Sequence, residues 1–230
     1  TYFALLRYIN IYMKIAILGS GGREHALVNQ MSLSKKTTKI YCIPGNAGTC
    51  HLAENVNLNL DNFESIYDFI LKNKIELVVV GPEKPLVDGI ADFLQEKKIK
   101  VFGPNKVLSQ FEGSKTFTKN VCKKYNIPTA KFNILKNLEE SIKYLNQVKF
   151  PIVIKADGLA AGKGVYICEN LEKSNEAVKE IFDGKFGKAD QIVIEEFLEG
   201  EEMSFFVISD GKSFKQFNTC LLYTSPSPRD

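Results

Sequence analysis

Several short stretches carry residue types that can do chemistry. Gly19-Ser20-Gly21-Gly22-Arg23-Glu24-His25 lies between an apolar run and a helix-like segment. Glycines at such a turn let the backbone approach an anion, and a helix N-terminus offers free N–H groups at a positive dipole end. Gly19, Gly21 and Gly22 are therefore candidate phosphate ligands, and Arg23 can add charge. The plainer alternative is a tight strand-to-helix turn. A dinucleotide is disfavoured, because Glu24 stands where GxGxxG has its third glycine and no acid closes the second strand, which ends Tyr41-Cys42-Ile43-Pro44. A phosphate on something smaller fits better, and His25 is expected to pack and not to act as a base. Pro44-Gly45-Asn46-Ala47-Gly48 and Gly81-Pro82-Glu83-Lys84-Pro85 also follow strands. In a parallel sheet such loops converge on one edge, where ligands bind. Asn46 and Glu83 are thus candidate substrate contacts, Glu83 for an amine or hydroxyl. The alternative is a pair of proline-stiffened turns, with Lys84 a solvated charge.

A third stretch, Ile152-Val153-Ile154-Lys155-Ala-Asp-Gly158-Leu-Ala-Ala-Gly162-Lys163-Gly164-Val165, is rich in glycine and lysine. It is no Walker loop. The spacing from Gly158 is one short, Gly164 replaces the Ser/Thr, and strands are expected on both sides. A glycine-rich hairpin loop can still lie over a triphosphate. Lys155 closes a strand expected to be buried, and a lysine there is costly without an anion nearby. Last comes Val193-Ile194-Glu195-Glu196-Phe197-Leu198 through Glu202. It reads either as an acidic turn between strands or as a hinge whose backbone meets an adenine edge, followed by a carboxylate for ribose hydroxyls.

The elements that must position these residues are legible. Apolar runs at 14–18, 39–43, 76–80 and 100–102 read as strands, with 55–59 as a further short one. Helices are expected over 23–34, from Asp61 (with Asp61 as cap and Glu64 completing a capping box) and over 85–98. That alternation calls for a parallel sheet with helices on both faces. After about residue 111 the pattern changes. Ser114 caps a helix to Tyr125, strands follow at 131–135, 151–155, 165–169, 191–197, 203–209 and 213–217, and helices at 137–147 and 171–182. Asp210-Gly211 marks a hairpin turn. Local pairing of this kind predicts antiparallel sheets, with a boundary near Glu112-Gly113.

Composition excludes several classes. The 230 residues carry 30 Lys+Arg against 27 Asp+Glu, a net charge of +3 that is too weak to imply a nucleic-acid or anionic-membrane partner. Hydrophobic residues are 44% and charged residues 25%, which is ordinary for a globular chain. No stretch approaches the ~18 apolar residues that a membrane span needs. The five cysteines are scattered without a CxxC pair and there are only two histidines, which argues against a zinc site, so a reducing cytoplasm is expected.

Taken together, GSGGREHA (19–26), PGNAG (44–48), GPE (81–83), EGSK (112–115), NIPTA (126–130), IVIKADGLAAGKGV (152–165) and IVIEEFLEGEE (192–202) closely resemble the phosphoribosylamine–glycine ligases, the glycinamide ribonucleotide synthetases of purine synthesis, within the ATP-grasp superfamily. The resemblance covers about residues 13–218. It implies an α/β chain in which a Rossmann-like (pre-ATP-grasp) parallel-sheet domain over 13–112 is followed by a partial α+β ATP-grasp domain over 113–218. It also implies ATP and Mg²⁺ or Mn²⁺ as cofactors, glycine and 5-phosphoribosylamine as substrates, and a monomer. Lys115 and Lys155 match the paired lysines that hold ATP phosphates, and 158–165, with Gly158, Gly162, Lys163 and Gly164, the loop that closes over them. Glu195, Phe197 and Leu198 match the adenine-reading hinge and Glu202 the ribose carboxylate. Gly19, Gly21, Gly22, Arg23, Asn46 and Glu83 fall on the substrate side.

No nucleophilic or acid–base residue and no metal ligand is assigned. The family's metal ligands are expected beyond about Phe217, where the resemblance stops, so the chain is expected to be an inactive portion with an unpaired sheet edge near 213–217. Residues 1–12 read as upstream of a start at Met13, and 219–230 as a polar, proline-broken tail. The rival readings are another ATP-grasp ligase or carboxylase acting on a small phosphoribosyl substrate, a non-catalytic nucleotide-binding module, and a Rossmann dehydrogenase, which the missing acid after the second strand disfavours.

Overall fold

A computed structural model describes residues 12–159, 163–187 and 189–222. Five strands form one parallel sheet: β1 (Met13–Gly19), β2 (Thr37–Pro44), β3 (Glu54–Asn55), β4 (Leu77–Val80) and β5 (Lys100–Phe102), in the order β3-β2-β1-β4-β5. The central strands β1, β2 and β4 are buried on both faces, which is why they read as continuous apolar runs and not as alternation, whereas the edge strands β3 and β5 are largely exposed. Ile15, Ile17, Ile40, Cys42 and Val79 pack with Val28 of α1 (Gly22–Ser32). Ala16, Leu18, Ile43, Val78 and Val80 pack on the other side with Ile66 and Ile70 of α2 (Phe63–Asn73) and with Leu86, Ile90 and Leu94.

Two local expectations are corrected here. The cap of α2 is Asn62, whose side chain accepts from the Ser65 N–H at 3.0 Å. Asp61 instead pairs with Lys84 at 2.6 Å, and Glu64 faces Lys97 at 3.7 Å. The single helix expected over 85–98 is two, α3 (Glu83–Asp88) and α4 (Ile90–Glu96). They break at Gly89, whose φ of 104° lies in the left-handed region that a side chain disfavours.

The helical turn α5 (Gln110–Gly113) leads into α6 (Lys115–Tyr125), where Ser114 caps by accepting from the Phe117 N–H at 3.0 Å. Beyond it lies an antiparallel sheet of β6 (Phe132–Leu135), β7 (Ile152–Ala156), β8 (Val165–Cys168) and β9 (Ile192–Glu196), ordered β6-β9-β7-β8. Its strands alternate. Ile152, Ile154, Ile192 and Ile194 point into a core with Leu145 of α7 (Leu138–Leu145) and Ala177, Val178 and Ile181 of α8 (Leu171–Phe182). Lys155 and Glu195 therefore lie on the opposite face, so Lys155 is not embedded among its apolar neighbours.

The stretch 203–209 is not one strand. β10 (Glu202–Ser204) pairs with β13 (Cys220–Leu222), and β11 (Val207–Ser209) with β12 (Phe214–Gln216). Residues 214–216 pair with 207–209 through the Asp210-Gly211 turn in a two-stranded ribbon, and among the described residues no strand covers the outer edge of β12. In the turn the Asp210 carboxylate accepts from the N–H groups of Lys212 and Ser213. Residues 220–222, expected in the tail, belong to a strand. The expectations for residues 1–11 and 223–230 lie outside the described residues.

Candidate functional site

The C-terminal ends of β1, β2 and β4 place three loops on one edge of the parallel sheet. Asn46 ties two of them together. Its amide donates to the carbonyl of Ser20 at 2.7 Å, and its side-chain oxygen accepts from the N–H groups of Gly48 and Thr49 at 2.7 and 3.0 Å. Asn46 is thus engaged in shaping the loops. His25 packs: a Cβ on Gly48 would stand 2.5 Å from its ring. The N-terminus of α1 differs from the expected open cradle. Glu24, 3% exposed, folds back so that its Oε2 accepts from the Gly21 N–H at 2.6 Å, and its carboxylate fills the space between Gly19, Gly21 and Gly81. A Cβ at Gly19 would lie 2.5 Å from the Glu24 Cγ, and one at Gly81 would overlap its carboxylate. The glycines of this turn thus make room for the acid that replaced the third glycine. Gly22, with open space around a Cβ, is not so constrained.

Glu83 is likewise partnered. Arg23 donates to it at 2.7 Å, and this hydrogen bond holds the Glu83 carboxyl below its ordinary range against the opposing effect of burial. The pair is largely exposed, so it orients the two side chains more than it stabilises the fold. Lys84 is no free solvated charge but joins Asp61 and Asp88 at 2.6 and 2.7 Å.

On the antiparallel sheet, Asp157 is the hub that joins three elements. It accepts from the Ser114 hydroxyl at 3.1 Å, the Thr116 N–H at 3.2 Å, the Gly158 N–H at 3.1 Å and the Gln191 amide at 2.7 Å. Burial pushes its carboxyl up, but the hydrogen bonds from Gln191, Thr116 and Ser114 outweigh that and leave it below its ordinary value. The hub fixes the start of α6, and so Lys115, against the glycine hairpin. The Lys115 ammonium donates to the Gly158 carbonyl at 3.0 Å. Burial pushes its pKa down, and the like charge of Lys155 adds to this, against Asp157 and Glu112.

Lys155 does have an anion, and it is a residue of the chain. Its ammonium lies 3.1 Å from Glu195 Oε2, and Lys119 reaches the same oxygen, also at 3.1 Å. In the register Val153 faces Glu195 and Lys155 faces Val193, so Lys155 is Glu195's diagonal neighbour, within reach of a long side chain. Glu195, 6% exposed, is a strand residue whose side chain is buried under α6.

Arg23, Pro82, Glu83 and Lys84 from the first half meet Glu112, Lys115, Gly158, Leu159, Gly164 and Val165 from the second around a cleft of about 570 Å³. The structure therefore brings together Arg23, Glu83, Lys115, Gly158 and Gly164 of the expected residues. Lys155 and Glu195 sit beyond its lining. Lys163, Phe197, Leu198 and Glu202 are exposed and do not line the cleft, and Gly162 lies outside the described residues. Sequence reasoning missed Lys119 and Asp157. The first has a signal in hindsight: Lys115 and Lys119 are four apart on a helix and share a face.

A parallel open sheet followed by an antiparallel sheet, with a glycine hairpin and a lysine on a cleft between them, defines an ATP-grasp protein. The chain belongs to the phosphoribosylglycinamide synthetase family: the family's N domain matches residues 13–112 and its ATP-grasp (A) domain residues 113–224. Phosphoribosylamine–glycine ligase of Clostridium acetobutylicum is 51% identical over 210 residues, covering 89% of this chain and 50% of its own. That of Caldanaerobacter subterraneus is 42% identical over 220 residues, covering 95% and 53%. The crystal structure of the Thermotoga maritima ligase superposes with a TM-score of 0.73 at 34% identity, covering 90% of this chain and 49% of that one. An Aspergillus clavatus N5-carboxyaminoimidazole synthase, in complex with ADP and 5-aminoimidazole ribonucleotide, shares the fold at TM-score 0.74 and 16% identity, covering 95% and 56%. The chain spans about half the length of the curated relatives it matches. Among the described residues no helix is long and apolar enough to cross a membrane.

Proposed function

We propose that this chain supplies the phosphoribosylamine side and the nucleotide-phosphate side of a ligase that joins glycine to 5-phosphoribosylamine. In the reaction so assigned, a glycine carboxylate oxygen attacks the γ-phosphorus of ATP, giving glycyl phosphate and ADP. The amine of phosphoribosylamine then attacks the acyl carbon, and phosphate leaves as the amine loses a proton. Such chemistry needs charge neutralisation and positioning more than a nucleophilic side chain. The observation that carries the proposal is the cleft, where Arg23 and Glu83 of the first half face Lys115 and the Gly158–Gly164 hairpin of the second. Lys115 and Lys155 would offset charge on the ATP phosphates, and Arg23 would face the ribose phosphate. With Glu24 in the α1 turn, phosphate is better received beside Arg23 than at Gly21 and Gly22.

Among the described residues no group of three or more His, Cys, Asp or Glu could hold a metal, so no step is assigned to Mg²⁺ or Mn²⁺ here. The proposed protein acts as a monomer, and the five free cysteines support a reducing cytoplasm. The test uses a protein carrying this sequence at its relatives' full length. ADP release must require both glycine and 5-phosphoribosylamine. Release with bicarbonate in place of glycine would assign a carboxylase of the same fold instead.

A further inference from the structure

The cluster behind the cleft is unbalanced. Glu195 Oε2 lies 3.1 Å from the Lys119 ammonium and 3.1 Å from that of Lys155. One carboxylate thus stands against two cations. The arrangement also differs from a pair optimised for stability, since Glu195 Oε1 is buried without a hydrogen-bond partner among the described residues. A carboxylate has two oxygens and room for a bidentate contact, yet both cations share one of them.

The two lysines are not equivalent. The Lys119 side chain is 10% exposed, against 29% for Lys155. Lys119 also donates to the Thr129 hydroxyl at 2.7 Å, and its ammonium lies 5.4 Å from the Phe132 ring centroid. It is held from several sides and points inward. Lys155, with one hydrogen bond to Glu195, is the one able to turn toward an anion.

We infer that Lys119 is a positioning residue for phosphate binding: by sharing Glu195 it keeps the Lys155 ammonium from being neutralised inside the protein. The inference rests on the nucleotide reading above and adds to it a residue that touches no nucleotide. A buried carboxylate cannot be left without a cation. With Lys119 present, Lys155 can leave Glu195 without stranding it. Without Lys119, Glu195 and Lys155 form a closed one-to-one pair and the excess positive charge is gone. That excess is felt most by the ligand with the most phosphate charge, so discrimination between ADP and AMP reports it, whereas loosened packing weakens both alike.

The experiment is calorimetric titration of a protein carrying this sequence at its relatives' full length with ADP and with AMP, each variant's melting temperature being recorded. Lys119→Met should lower ADP affinity by roughly tenfold, the loss of a charge-assisted interaction, and AMP affinity by less. Lys119→Arg should preserve the ADP/AMP ratio. Lys119→Met combined with Glu195→Gln should restore it, because Lys155 is freed again. Glu195→Gln alone should raise the ratio, and it decides the matter if Lys119→Met does not fold. Equal losses for both nucleotides in Lys119→Met, or an unraised ratio in Glu195→Gln, overturns the role of Lys119 alone. Failure of the unaltered full-length protein to bind ADP overturns the nucleotide reading and this inference with it.

Discussion

Lys115 and Lys155 are both lysines beside one cleft, but their surroundings give them different tests. Burial is the larger influence on Lys115 and depresses its pKa. Below its folded pKa the group is charged whether folded or unfolded, and the cost of burying it is fully present. As pH rises from there toward the ordinary 10.5, the native chain sheds the proton first, so stability gains from this group within that window. Phosphate affinity moves the other way. ADP binding should weaken as pH climbs, before the ordinary lysine range, and Lys115→Arg should flatten the profile because guanidinium stays charged. A titration series over pH checks both. Lys155→Met retains length and removes charge. Glu195 keeps Lys119, so the melting temperature should change little while ADP affinity falls about tenfold to a few hundredfold, the equivalent of ~1.5–3 kcal/mol. A large loss of melting temperature with normal ADP binding would show that Lys155 serves the internal pair alone.

At the level of elements, two acids hold loops that glycines make possible. Glu24 occupies the space between β1, α1 and β4. Gly81→Ala places a methyl group against its carboxylate and should destabilise the chain by about 1–3 kcal/mol, as overpacking does, whereas Gly22→Ala should lie within ~0.5 kcal/mol of the parent in chemical denaturation. Asp157 binds α6, the hairpin and Gln191 into one unit. Asp157→Ala leaves the Gln191 amide and the Thr116 N–H without their acceptor and should cost about 1–3 kcal/mol. Because the folded carboxyl is held below its ordinary value, its contribution is present above about pH 3.8 and is lost as pH falls through the folded pKa. The acid-unfolding midpoint of the alanine variant should therefore shift upward.

The whole molecule has separate apolar cores. One set lies on the two faces of the parallel sheet, from Ile15 to Leu94, and another between the antiparallel sheet and α7 and α8, from Leu135 to Ile194. The described contact between the halves is the turn at α5, where a Cβ on Gly113 would sit 2.7 Å from Val87, together with the polar cleft. Ile194→Ala removes a side chain that is 2% exposed and should cost ~2–5 kcal/mol. Hydrogen exchange should then speed up in β6–β9 and α8 while β1 and β4 keep their protection. Equal loss in both halves would show one cooperative unit.

What the residues determine by themselves is whatever depends on neighbours in the chain. The strand run at 14–18 and the helix spans 115–125 and 171–182 follow from local apolar pattern and caps, as do the rejection of a dinucleotide turn and of a Walker loop. So does the family, because its motifs are contiguous. The cap of α2 falls on Asn62, one residue past the expected Asp61, because both are good caps and only Lys84, across the fold, claims Asp61. The partners of the charged groups were not legible at all. Glu24 under Gly81, Arg23 on Glu83, Asp157 beneath Gln191, and Lys119 with Lys155 on one oxygen of Glu195 join residues 34 to 76 positions apart, apart from the local reach of Glu24 to Gly21. A charge shows in a sequence by its type, but its partner is fixed by sheet register and helix packing, which only the tertiary structure sets.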